Sequence, residues 1–156
     1  AAGGHYADKN VYKPIEVEEM RFAVRFDSSA IYQTVLAENQ WDINKLYGFS
    51  DNNADHHQYS ARFGWNWREG ALRLHAYVYN KGVVESRELA TVAIGAEKVC
   101  SIRVTGGAYL FSIDGKMMAA MPRQSTSERG KGYQLYPYFG GDEVAPHDIR
   151  ILVKNL

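Results

Sequence analysis

Arg62, His75, Tyr77 and Tyr79 are the residues of this chain whose types and spacing could do chemistry together. A guanidinium is a planar fork of donors that matches a carboxylate. An imidazole titrates near neutrality, and a phenol gives up its proton more readily beside cations that favour phenolate. The four sit in two alternating runs, Ser60 to Trp67 and Leu72 to Tyr79, on either side of Glu69-Gly70. Successive side chains of a strand point to opposite faces, and a two-residue break ending in Gly suits a hairpin turn. With Arg68 opposite Ala71, the pairs Trp67 with Leu72, Trp65 with Leu74, Phe63 with Ala76 and Ala61 with Val78 make one face wholly apolar. The other face pairs Asn66 with Arg73, Gly64 with His75, Arg62 with Tyr77 and Ser60 with Tyr79. A slip of one residue would destroy both sortings at once, so the pattern specifies its own register.

The elements that must position this hairpin are also strands. Met20, Phe22, Val24 and Phe26 alternate with polar or small residues, and Ile43 to Phe49 forms a second run. Hairpins at Gly106-Gly107 and Asp114-Gly115 chain three further strands, pairing Val104 with Tyr109, Ile102 with Phe111 and Cys100 with Ile113. Cys100 then lies on the core face as a small hydrophobe rather than a reactive thiol. Tyr133 to Phe139 and Asp148 to Val153 supply the last strands, the latter turning Ile149, Ile151 and Val153 inward. Between them, Met121 to Gly132 reads as a long mobile loop, because its small and charged residues offer no apolar face to bury. No helical periodicity is sustained anywhere, so the fold class is all-β, an antiparallel sandwich or barrel. Residues 1–156 suit one domain, with 1–13 an irregular N-terminal segment. Phe22, Phe63, Trp65, Leu74, Ile102, Phe111 and Ile151 are the predicted core. Trp65 and Trp67 point inward in this register, leaving Trp41 as the candidate exposed aromatic platform.

Composition excludes several functions. Basic and acidic residues number 18 each, so the net charge is zero and the chain lacks the basic field of a nucleic-acid binder. No apolar run approaches a membrane span, and Ala1-Ala2-Gly3-Gly4-His5 lacks the regions of a signal peptide. A single Cys rules out an intrachain disulfide and any Cys-based zinc site. Asp51, Asn52, Asn53 and Asp55 offer oxygen ligands and His56 with His57 nitrogen ones, but adjacent histidines on a strand point opposite ways and the loop matches no twelve-residue calcium motif. No metal site and no cofactor are expected; of the metals, calcium suits this loop before zinc. Asp142, Glu143 and Asp148 gather carboxylates near His147, with nothing to set two of them at a glycosidase separation.

With its strands placed, the chain resembles the concanavalin A-like jelly rolls of lectins, glucanases and laminin-G domains. Lys98 to Val104 followed by Tyr109 to Lys116 looks like their meander ending in Asp-Gly, and Leu135 to Gly141 before Asp148-Ile149-Arg150-Ile151 like their C-terminal strands. A second likeness is local. Asn44-Lys45-Leu46-Tyr47-Gly48-Phe49, then Tyr59-Ser60-Ala61-Arg62-Phe63-Gly64-Trp65, then His75-Ala76-Tyr77-Val78-Tyr79 resemble the Gly-Lys-Leu-Pro-Gly-Leu, Ser-x-Arg-x-x-Trp and Tyr-x-Tyr strands of jelly-roll alginate and glucuronan lyases. Asn44, Tyr47 and His75 depart from that pattern. The C-terminal half is also similar to secreted or lipoprotein-borne proteins of Bacteroidetes.

The resemblance implies a groove for a polysaccharide, with Lys45, Ser60 and Arg62 among its substrate contacts; Asn66, Arg73, Tyr136 and Tyr138 are further candidate contacts. It implies β-elimination on a uronate, for which Arg62 and Lys45 suit the carboxylate and Tyr77 or Tyr79 the base and acid; His75, outside the pattern, could serve as base by its own chemistry. It also implies a secreted, periplasmic or surface-attached protein, expected to act as a monomer. On the residues alone, an ordinary solvated sheet face, a groove that binds without cutting, and a lyase site all stay open.

Overall fold

A computed structural model describes residues 1–156. Eleven strands form: β1 Pro14–Val17, β2 Glu19–Phe26, β3 Asn44–Ser50, β4 Ser60–Arg68, β5 Ala71–Asn80, β6 Val83–Val92, β7 Glu97–Val104, β8 Ala108–Ile113, β9 Lys116–Pro122, β10 Gly130–Leu135 and β11 Ile151–Asn155. They make two antiparallel sheets, ordered β1-β10-β3-β4-β5-β6 and β11-β2-β7-β8-β9. Phe22, Phe63, Trp65, Leu74, Ile102 and Phe111 are buried between the sheets, and Ile151 packs against them partly covered. Phe63 meets Phe22 and Phe111 edge-on at 5.6 and 5.1 Å between ring centres, the interdigitation expected of two inner faces.

The β4–β5 register runs from Ser60 opposite Tyr79 to Arg68 opposite Ala71, as the two-face sorting requires. The turn has the predicted chemistry: Glu69 and Gly70 both take positive φ, 52° and 71°, and so do Asp114 and Gly115 at 51° and 78°. Such turns match the twist of the strands they join. Cys100 pairs with Ile113 and is buried, which pushes its thiol up to about 12.

Several expectations fail. Lys81-Gly82 makes a third turn of the same kind, φ 50° and 79°, and leads into β6, which the sequence reading did not assign. This edge strand is mostly exposed and lacks alternation, so period two carries no signal there. The C-terminal strands are displaced: β10 begins at Gly130 and ends at Leu135, with Tyr138 joined only by isolated bridges to Tyr6 and Lys45, and β11 covers Ile151–Asn155.

The stretch from Met121 to Gly132 is no free loop. Its ends belong to β9 and β10, and its middle is stitched to the β3–β4 loop. Arg123 Nε donates to Asp51 Oδ2 at 2.9 Å, with both side chains almost wholly enclosed. Its Nη atoms donate to the carbonyls of Thr105 and Ser127 at 2.8 and 2.7 Å. Asn52 Oδ1 accepts from the Thr126 backbone N–H at 3.1 Å. A segment without an apolar face is ordered instead by satisfying a buried charge. The same contacts consume Asp51, the first of the oxygen ligands considered for calcium.

Candidate functional site

The outer face of the six-stranded sheet carries a groove of about 590 Å³. Its floor is built from Lys45 on β3, Arg62 on β4, and Tyr77 and Tyr79 on β5. The hairpin register puts Arg62 beside Tyr77, with the guanidinium carbon 5.4 Å from the ring centre. Lys45 reaches the same ring from the neighbouring strand, Nζ 5.0 Å from its centre, and donates to the Gly140 carbonyl at 3.2 Å.

A bulge places Lys45. The β3–β4 pairing shifts between Lys45 and Tyr47, so Lys45 faces out while Leu46, Tyr47 and Phe49 are all buried. A strict alternation from Lys45 would have turned Phe49 outward; re-aiming side chains is what such irregularities do. Tyr47, which stands where the lyase pattern has Pro, points inward and donates to Asn155 Oδ1 at 2.7 Å. Gly48 lies opposite Arg62, where a Cβ would overlap the Ala61 carbonyl and Arg62 itself. The close approach of the two strands under the guanidinium requires glycine.

The walls come from residues that no strand pattern singles out. The irregular N-terminal segment runs across the Pro137–Phe139 region: Ala7 N donates to the Pro137 carbonyl and Phe139 N to the His5 carbonyl, while the His5 ring stacks on Tyr138 at 5.0 Å. Tyr6 and Tyr12 thereby line the groove with Tyr133, Tyr136 and Tyr138, and His56 and His57 close one side. Tyr136 and Tyr138 were named from the sequence as candidate contacts, and both line the groove. The others depend on a long-range path of the chain and had no local signature.

Electrostatics set this groove apart. Arg62 is 6% exposed, its Nε is enclosed without an acceptor, and its side chain makes no hydrogen bond or ion pair within the protein. No Asp or Glu lines the groove. Burial, reinforced by Arg62, lowers Lys45 to about 8. Tyr77 moves the other way from the sequence expectation: burial first, then Tyr79, raise it to about 12, and the opposing pull of Arg62 is too weak to reverse this. Its phenol is therefore an acid or a hydrogen-bond donor, not a base at neutral pH.

The remaining predicted residues lie on the same face but outside the groove lining. His75 is buried with its Nε2 3.0 Å from Asn66 Oδ1, and burial lowers it to about 4. A nitrogen already bonded and so weakly basic is a poor proton acceptor, which removes the expectation that His75 needs no help. Arg73 is held by Glu88 at 3.2 Å, and Glu88 also takes Arg68 at 2.9 Å. The Arg68 guanidinium covers Trp41 at 3.7 Å, so that exposed platform has one face occupied. Ser60 is fully buried and its hydroxyl has no partner.

A larger recess of about 850 Å³ adjoins the groove and shares Lys45, Tyr136 and Tyr138 with it. Its other walls are mainly apolar, including Trp65, Phe139, Ile149 and Val153, and it holds no buried unpartnered charge. The groove is the better candidate, because a few convergent polar groups are what fix a ligand.

The sheets and their order define a jelly-roll sandwich of the concanavalin A type. Among solved structures the chain is similar to the alginate lyase AlyC3, with a TM-score of 0.55 at 8% identity over 87% of this chain, and it spans 65% of that enzyme's length. It is similar to a point variant of human galectin-16, with a TM-score of 0.52 at 14% identity, covering 97% of this chain and 99% of that one. A family 16 endo-glucanase from Bacteroides ovatus gives 0.53 at 13% identity, covering 92% and 71%. No family model and no curated protein matches the sequence. No helix is long and apolar enough to cross a membrane.

Proposed function

We propose that this protein recognises an acidic polysaccharide in the groove over β3, β4 and β5. The observation that carries the reading is Arg62, a buried guanidinium with no partner inside the chain, in a groove that no carboxylate lines. Burying a charge is costly unless something pairs with it, so the missing partner belongs to a ligand. A sugar carboxylate accepts from the guanidinium fork, Lys45 adds field, and Tyr77, Tyr79 and Tyr138 offer aromatic faces and hydroxyls to the rings. The structural neighbours, an alginate lyase and an endo-glucanase among them, are consistent with a glycan as the ligand class. The reading goes with a secreted, periplasmic or surface-attached protein.

The test is a panel of polyuronates and neutral glycans, scored for binding by calorimetry and for the ultraviolet absorbance of unsaturated chain ends. Binding confined to the acidic polymers supports the reading; preference for neutral ones, or no binding to either, overturns it.

A second reading, β-elimination, is favoured by one pair of groups. Lys45, at about 8, is partly neutral near physiological pH, and Tyr77, at about 12, holds its proton, so a base lies over the ring of an acid, 5.0 Å from the ring centre. Tyr77→Phe keeps the ring and removes the phenol. A binder should retain its affinity within a few-fold, whereas a lyase that uses this phenol should bind normally and lose turnover by about 10²–10⁴.

Lys45 also sets a pH dependence. It is charged below about 8 and neutral above, so affinity for an anionic glycan should fall as pH rises through that value. The fall is tenfold per pH unit until the ammonium of the complex itself deprotonates, since each unit by which the ligand raises this pKa is worth about 1.4 kcal/mol. Titrating affinity from neutral to alkaline pH checks this; Lys45→Met should weaken binding below the transition and flatten the curve.

A further inference from the structure

Asp55, His56 and His57 follow one another in the loop between β3 and β4, and His56 and His57 both line the groove. On a strand two adjacent histidines would diverge. Here the chain turns at residues 56–58, and the two rings lie 4.1 Å apart, tilted by 40°. Asp55 Oδ1 accepts from the His57 backbone N–H at 2.8 Å and lies 3.5 Å from His57 Nδ1. One ligand atom from each of the three residues falls within 4.8 Å of the others.

The cluster is also oriented. Tyr133 Oη takes the His56 backbone N–H at 3.0 Å and contacts His56 Nδ1 at 2.8 Å, fixing the ring through one nitrogen and leaving the other free. Metal-bound imidazoles are held in this way by an outer partner on the second nitrogen. His56 is half-buried, which limits the positions its ring can take. The side chains of His57 and Asp55 are 64% and 62% exposed and have room to draw in.

We propose that Asp55, His56 and His57 form a three-ligand site for a borderline divalent cation, zinc before others, at the edge of the groove, with Asp55 outside its lining and the fourth position open. Two imidazoles and one carboxylate suit zinc, copper or nickel; calcium asks for six to eight oxygens, which this turn does not present. Zinc bonds of about 2.0–2.2 Å need ligand atoms closer than the present spacing, a closure that the exposed side chains of a turn can make. Arg62 faces the same groove, and its field works against a bound cation.

The experiment uses the chain without a histidine tag. Zinc is titrated by calorimetry and against a chromogenic chelator, and cobalt is added as a spectroscopic probe. One zinc per chain is expected, with cobalt giving the intense visible bands of four-coordination. His57→Ala and Asp55→Ala, both at exposed positions and therefore foldable, should each weaken zinc by about tenfold or more. Tyr133→Phe should weaken it less, with the cobalt spectrum changed as the ring loses its anchor. Zinc binding weaker than about 1 mM overturns the site, and so does binding that His57→Ala and Asp55→Ala leave unchanged, which would place the ion on His5, His75 or His147.

Discussion

Arg62→Ala should cost roughly 10- to 150-fold in affinity for an acidic polysaccharide, because a charge-assisted contact to a fork of donors is typically worth about 1.5–3 kcal/mol. The same position makes an unusual second demand. Most buried residues stabilise a fold, yet this guanidinium is enclosed with its Nε unsatisfied and no counter-charge in reach. On the proposed reading it is a cost in the free protein that the ligand offsets. Arg62→Met, which keeps the stem and removes the charge, should therefore abolish tight binding while leaving the melting temperature unchanged or higher. Calorimetry for affinity and a thermal melt for stability separate the two effects. If Arg62→Met melts several degrees lower and still binds, the residue is a structural strut, and the acidic-ligand reading falls with it.

Arg123→Ala should be among the most destabilising single changes in the protein. Its guanidinium and the Asp51 carboxylate are 1% and 0% exposed, and removing one member of such a pair leaves the other charge buried alone, at about 3–5 kcal/mol. For a domain of this size that is a loss of roughly 6–20 °C in melting temperature. Burial by itself would raise Asp51, but the bonds from Arg123 and Tyr109 and the backbone N–H groups of Asn52 and Lys131 together hold it below the ordinary carboxylate range. A carboxyl depressed in the folded state contributes stability above its unfolded pKa, about 3.9, and loses it as pH falls through the folded value. The gap between the wild type and Asp51→Asn should thus be full near neutrality and close below about pH 4. Denaturant melts across acid pH measure it; a gap independent of pH would mean that the carboxylate charge is not what the network uses. Because Arg123 ties the segment after β9 to the loop before β4, the variant should also free residues 124–129 to exchange their amide hydrogens.

The β4–β5 hairpin, with its register and its two faces, was legible in the residues themselves. Alternation and a turn of two residues at positive φ are local facts, and no shift of Ser60–Asn80 preserves both an apolar and a polar face. That is why Arg62, Tyr77 and Tyr79 could be placed together before any coordinates. The β7–β8–β9 meander and the inward Cys100 follow from the same logic. Where most of a strand is exposed and burial does not alternate, as in β6, period two has nothing to report and the strand goes unseen.

Burial and charge pairing were decided only by the assembled sheets. Lys45 faces the groove because a bulge offsets β3 against β4, and no rule of spacing marks where an extra residue will be absorbed. Whether Tyr77 loses or keeps its proton turns on the competition between nearby cations and desolvation; burial wins, and burial is a property of the whole molecule. Arg123 meets a carboxylate 72 positions away, which makes an ordered strap of a segment whose composition reads as a free loop. Arg62, by contrast, meets none. The sequence by itself determined which residues share a face, since period two acts between neighbours. Which of those residues are enclosed, paired or left with an unanswered charge depends on distant chain segments packing over them, and only the tertiary structure decided that.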